Sequence, residues 1–100
     1  MASSLKVKDE VFTRLNKFGL ITFKKMMGEF LLYFNGKLIG GIYDDILLIK
    51  QTKTNYLLIK NACFLIPYPS AKPMLKLELY LSDDEIFNVL STTFNELPDK

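Results

Sequence analysis

The stretch 35–45, NGKLIGGIYDD, constrains the fold of this chain more than any other. It reads as a β-strand with a reversal signal at each end. Asn35-Gly36 is a strong hairpin dipeptide, because both residues tolerate the positive φ that a type I′ turn demands. Asp44-Asp45 marks a second tight reversal, and apolar runs flank the strand from Phe30 to Phe34 and from Ile46 to Ile49. Two hairpins that share a middle strand make an antiparallel meander.

The chain on either side predicts the remaining elements. Ser3 and Ser4 are candidate N-caps, and Val7, Val11, Leu15 and Phe18 recur on one helical face that Phe12 widens. Gly19 fits the left-handed position that ends a helix, which predicts a helix over about residues 4–18. Residues 22–26 suit a strand near an edge, and Gly28 marks a bulge or tight bend. Strand 29–34 is apolar on both faces. Strand 38–43 contains Gly40-Gly41, which implies close approach of another element or a bend; close packing by a helix is the expected cause, and a ligand lying over bare backbone is the alternative. Residues 46–49 form a fourth strand ending at Lys50.

Thr52 and Thr54 are each candidates to cap a short helix in 51–62, with Tyr56, Leu57 and Ile59 partly buried. Residues 64–66 suit a short strand stopped by Pro67 and Pro69, and 68–73 a loop. Leu75, Leu77, Leu79 and Leu81 alternate with polar or aromatic neighbours, which predicts a half-buried strand with its leucines toward the core. Ser82 and Glu85 form a capping box for a last helix whose buried face is Ile86, Val89, Leu90, Thr93, Phe94 and Leu97, and Pro98 ends it. The expected architecture is a single α+β domain over residues 1–100. It is a two-layer sandwich with an antiparallel sheet of about five or six strands and N- and C-terminal helices gathered on one side.

Composition narrows the function. The chain contains no histidine and a single cysteine, Cys63, which removes the usual zinc frameworks, Ser-His and Cys-His pairs, and intramolecular disulfides. Cys63 reads as a small buried apolar residue. No apolar run approaches the roughly 18–20 residues that span a bilayer. The opening MASSLKVKDE lacks a signal-peptide core, so a cytoplasmic location with no membrane partner is expected. A net charge of +2 is too small to argue for nucleic acid by itself. Adjacent Asp44 and Asp45 would point to opposite faces of a strand, so a turn role is expected of them, and Asp83 to Glu85 are absorbed by the helix cap. No catalytic, cofactor-binding or metal-ligating residues are expected.

The segment 21–30, ITFKKMMGEF, followed by Tyr33 and then by 35–45, resembles the N-terminal domain of the TfoX/Sxy family, most closely its short stand-alone members. The likeness continues through Leu48-Ile49-Lys50, Asn61-Ala62, Pro67-Tyr68 and Asn95 to Pro98, and so covers nearly the whole chain. The resemblance implies an α+β sandwich like that of secretion chaperones. It also implies a non-enzymatic role in protein contacts connected with transcriptional or competence regulation. Full-length members are competence regulators that act with a cyclic-AMP receptor protein and carry a second, helix-hairpin-helix-like domain; nothing up to Lys100 matches that domain.

The candidate interaction surface is Lys24, Lys25, Met26, Met27, Phe30, Tyr33, Ile39, Gly40, Gly41 and Tyr43. The two methionines are expected to fill the core at a strand end, or else to form an adaptable surface. Lys24 and Lys25, with Lys37 and Lys50, could contact phosphates and give weak, salt-sensitive DNA binding, although solvated lysines protecting a strand edge explain them as well. Strands apolar on both faces, with only two long helices to cover them, leave a sheet face for a protein partner or a second copy, unless 51–73 folds back over it. The remaining alternative is a small-molecule-binding or enzymatic pocket beside Gly40-Gly41.

Overall fold

Three consecutive two-residue turns set the course of the chain in the computed structural model, which describes residues 3–98. At Met27-Gly28, Asn35-Gly36 and Asp44-Asp45 both central residues have positive φ, from 50° at Asn35 to 85° at Gly36. That is the type I′ signature, whose twist matches that of the strands it joins. The turns connect β1 (Ile21–Met26), β2 (Glu29–Phe34), β3 (Lys37–Tyr43) and β4 (Ile46–Lys50) into an antiparallel meander. Gly28 is therefore the second residue of a hairpin turn and not a bulge. Met27, at the tip, is 93% exposed and Met26 49%, so neither fills the core.

After β4 the chain makes a longer excursion through a 3-10 turn (Asn55–Leu58), the edge strand β5 (Phe64–Leu65) and β6 (Met74–Lys76). The sheet has six strands in the order β1-β2-β3-β4-β6-β5, with every pairing antiparallel. The predicted strand through Leu81 is cut short. Leu77 N–H still donates to Leu47 O at 3.1 Å, and Leu75 and Leu77 are buried as expected. Beyond them Arg14 takes the carbonyls of Leu79 and Leu81, at 2.9 and 2.6 Å, and these backbone acceptors are lost to the sheet.

Helix α1 spans Leu5–Leu15 and is capped by Ser4, whose hydroxyl accepts from Val7 N–H. A 3-10 turn, Asn16–Phe18, follows. Gly19 is extended, with φ 164°, not left-handed. Its role is close approach: a Cβ there would lie 2.7 Å from the Phe34 ring and 2.9 Å from Asn35 Oδ1. Phe12 is 42% exposed and does not widen the buried face. Helix α2 (Asp83–Glu96) starts with the full Ser82–Glu85 capping box. It buries Ile86, Val89, Leu90 and Thr93. Both helices pack on one face of the sheet, around a core that includes Val11, Leu15, Leu32, Ile39, Ile42, Ile49 and Leu90. The fold is thus α+β, an open antiparallel sheet with an N-terminal and a C-terminal helix.

One irregularity sets the geometry of that sheet. Leu32 pairs with Gly40 and Tyr33 with Leu38, so Ile39 is an extra residue on β3. Without this bulge Ile39 and Ile42 would point to opposite faces; with it both are fully buried in the same core. Gly40 follows because no side chain fits: its Cβ would meet the Leu48 carbonyl oxygen and lie 2.9 Å from Ile49 Cα. Neighbouring strand backbone, and not a helix, is what approaches the glycine pair.

Candidate functional site

Cross-strand partners share a sheet face, so the register separates the two faces. Phe30, Leu32 and Phe34 pair with Ile42, Gly40 and Lys37 on the helix side. Leu31, Tyr33 and Lys24 belong to the outer face with Leu38, Gly41 and Tyr43. No helix lies on that outer face among the described residues. Leu31, Tyr33, Leu38, Tyr43 and Ile46 are half-buried there.

The excursion covers only part of this face. Tyr43 lies back over Gly41, where a Cβ would be 2.8 Å from its ring. The Tyr68 ring packs at a tilt against Tyr43, with the centroids 6.2 Å apart. Leu48, the register neighbour of Gly41, is 2% exposed. The tyrosine hydroxyl of Tyr43 is held above its ordinary pKa, first by burial and then by the neighbouring Tyr68 and Glu29. A fold-back of 51–73, the alternative to an open sheet face, therefore covers the β3–β4–β6 side and leaves Leu31, Tyr33 and Leu38 without a covering element among the described residues.

The residues singled out from the sequence do not form one surface. Phe30 (5% exposed) and Ile39 (0%) are core residues. Gly40 and Gly41 are buried under strand backbone and the Tyr43 ring, leaving no space for a pocket on them. Tyr33 and Tyr43 remain on the outer face, with Lys24 on the exposed edge strand beside them. Lys25 is exposed on the same strand but on the opposite face, and Met26 and Met27 sit at the hairpin end.

The lysines that a basic patch would need are dispersed as well. Lys37 Nζ donates to Phe94 O at 2.6 Å and Leu97 O at 3.0 Å and lies 4.2 Å from the Phe94 ring centroid. It closes the C-terminal end of α2, where a cation is favourable. Lys50 lies at the far end of β4, beside Met74.

Three side-chain clusters went unforeseen, and each is structural in chemistry. Glu29 accepts from the Ser3 hydroxyl at 2.6 Å and from Asp44 N–H, while Asp45 Oδ1 accepts from Ser4 N–H, so the N-terminal segment clasps the Asp44-Asp45 turn. Arg14 joins α1 to the segment before α2 and pairs with Asp83 at 2.6 Å, with Lys17 on the other carboxylate oxygen at 3.3 Å. Those contacts hold the Asp83 carboxyl below the usual carboxylate range. The third cluster ties the excursion to α2. Asn55, fully buried, donates to Lys50 O and to the Thr93 hydroxyl and accepts from Thr52 N–H. Glu96 accepts from the Thr52 hydroxyl at 2.6 Å, the Thr54 hydroxyl at 2.5 Å and Thr54 N–H, and these bonds lower its pKa. The spacing of Thr93 and Glu96 on one helix face, and the run of Thr52, Thr54 and Asn55, were the available signal.

Cys63 is exposed, contrary to expectation, because β5 is an edge strand and its segment packs on one side only. A cleft of about 540 Å³ opens toward the other end of the β5–β6 pair, lined by Lys50, Gln51, Tyr68, Lys72, Met74 and Leu97 among others. Among the described residues no group of three or more potential metal ligands converges, and no helix is long and apolar enough to cross a membrane. Compared with protein-family models, curated proteins and solved structures, the chain finds no match.

Proposed function

We propose that this chain is a non-enzymatic protein-interaction module of the kind represented by the TfoX/Sxy N-terminal domain, working in the cytoplasm in regulation of transcription or competence. It acts by burying the outer face of β1–β3 against a second copy of itself. The observation that carries this reading is the uncovered strip Leu31, Tyr33 and Leu38, half-buried on a sheet whose other face is packed by both helices. A strip of this kind is a partner site by its chemistry. A two-fold arrangement would let the same strip serve on both copies. Lys24, on the exposed edge beside it, limits lateral growth.

Light scattering coupled to size-exclusion chromatography tests this. The expected native mass is twice the 11.5 kDa of the chain, and Leu31→Asp returns it to the monomer with its fold intact. A strict monomer across the micromolar range overturns the self-association.

A further inference from the structure

The two free edges of the sheet, β1 and β5, differ in chemistry. The β1 edge carries Lys24 and Lys25, both exposed, which discourages strand addition. The β5 edge carries no charged guard, since from Asn61 to Ala71 the sequence contains no charged residue; only its two-residue length and Pro67 beyond it limit the edge. Its backbone is also available. Cys63 O accepts from Lys76 N–H at 2.8 Å, which places Cys63 in a hydrogen-bonded pair with β6. By the alternation of an antiparallel ladder, the N–H and C=O of Phe64 then point away from the sheet.

Around this edge the surface is both apolar and predominantly basic. Leu57 (69%), Ile66 (61%), Tyr68 (57%), Phe64 and Leu58 (39% each) are exposed. Between Asp45 and Glu78 the chain holds Lys50, Lys53, Lys60, Lys72 and Lys76 and not one acidic residue. Among the described residues, Lys76 pairs with Glu78 at 3.1 Å and the Glu96 carboxylate feels the charge of Lys53, whereas Lys50, Lys60 and Lys72 form no ion pair. Lys50 and Lys72 line a cleft together with Pro67 and Tyr68, and among the described residues no carboxylate lines it.

We propose that this edge docks an extended segment of a partner protein that alternates acidic and apolar residues. The segment adds to β5 as an outer strand, with its apolar side chains against Phe64 and Ile66 and one carboxylate in the Lys50–Lys72 cleft. Strand addition gives affinity through main-chain bonds and specificity through alternate side chains; the lysines select the sign of the charge. An outward-facing strand and a walled cleft fit a peptide better than a lipid surface or a nucleic acid. This inference adds a second contact surface, for a different partner, to the interaction reading above.

The probe is a ten-residue peptide alternating glutamate and valine, with its lysine–valine counterpart as control, titrated into the full chain. Saturable binding of the acidic peptide alone is expected. Amide shifts should be confined to 50–53 and 62–74, and alkylation of Cys63 should slow. Lys50→Glu with Lys72→Glu should weaken binding at least tenfold, and so should Ile66→Asp, an exposed position chosen so that folding is not at stake. Equal binding of both peptides, shifts centred on Leu31 and Tyr33, or tighter association with phosphatidylserine vesicles or duplex DNA than with the peptide would each overturn the proposal. Absence of peptide binding by a chain that is still a dimer by light scattering defeats this inference alone. A monomer that binds no peptide defeats the interaction reading too.

Discussion

Strands β1 to β4 are joined by two-residue turns, whereas β4, β6 and β5 are brought together by the excursion 51–73. The first half is specified by its own backbone: each turn takes positive φ at both residues, and the register follows from it. The second half is specified by side chains at a distance, with Asn55, Thr52 and Thr54 bound to Thr93 and Glu96 of α2. The halves also differ in what they present. The meander offers an apolar strip with guarded edge lysines, and the excursion offers a basic, apolar and unguarded edge. A locally encoded frame can carry an edge that remains free to accept a partner.

The strongest way to break this contrast is to attack the frame. Gly40→Val places a side chain against the Leu48 carbonyl and the Ile49 backbone, where nothing can yield. A loss of about 3 kcal/mol or more is expected in chemical denaturation, with both halves unfolding together. Asn55→Ala attacks the tie. It strands Thr52 N–H, Lys50 O and the Thr93 hydroxyl, and should cost about 2–3 kcal/mol. Its signature is selective: amides of 51–65 lose protection before those of β2 and β3.

Acid should produce a weaker version of the same effect. The Glu96 carboxyl is held below its ordinary value by the Thr52 and Thr54 bonds, so the folded state binds its proton less readily than the unfolded chain. Its contribution is complete above the ordinary carboxylate range and disappears as pH falls through the lowered folded value. Asp83, lowered by Arg14 and Lys17, behaves alike. Glu96→Gln should remove the first part of this acid sensitivity and leave the Asp83 part. The smallest effect is a gain. Met27 holds φ 54° at a fully solvated tip, and Met27→Asn should stabilise the chain by about 0.5 kcal/mol in thermal unfolding by completing an Asn-Gly turn.

The same contrast explains how much could be read in the sequence. The meander was legible because its signals are adjacent: Asn35-Gly36, Asp44-Asp45 and the apolar runs between them. The capping box at Ser82 and Glu85 was legible for the same reason. The role of Gly40 was not, since it depends on a register shift opposite Leu32 and Tyr33, and no local pattern announces that extra residue at Ile39. The strand expected through Leu81 ended early because Arg14, far away in sequence, takes its carbonyls. Of the candidate surface residues, Tyr33 and Tyr43 lie on the outer face and Phe30 and Ile39 in the core; strands apolar on both sides give no parity from which to choose the core face.

Native-state amide hydrogen exchange tests the division of the sheet most directly. The account predicts that β2 and β3 amides exchange only through global unfolding. Amides of 55–65 should exchange through a local opening of lower free energy, and Asn55→Ala should lower it further. Equal protection across both halves, unchanged by Asn55→Ala, would contradict it.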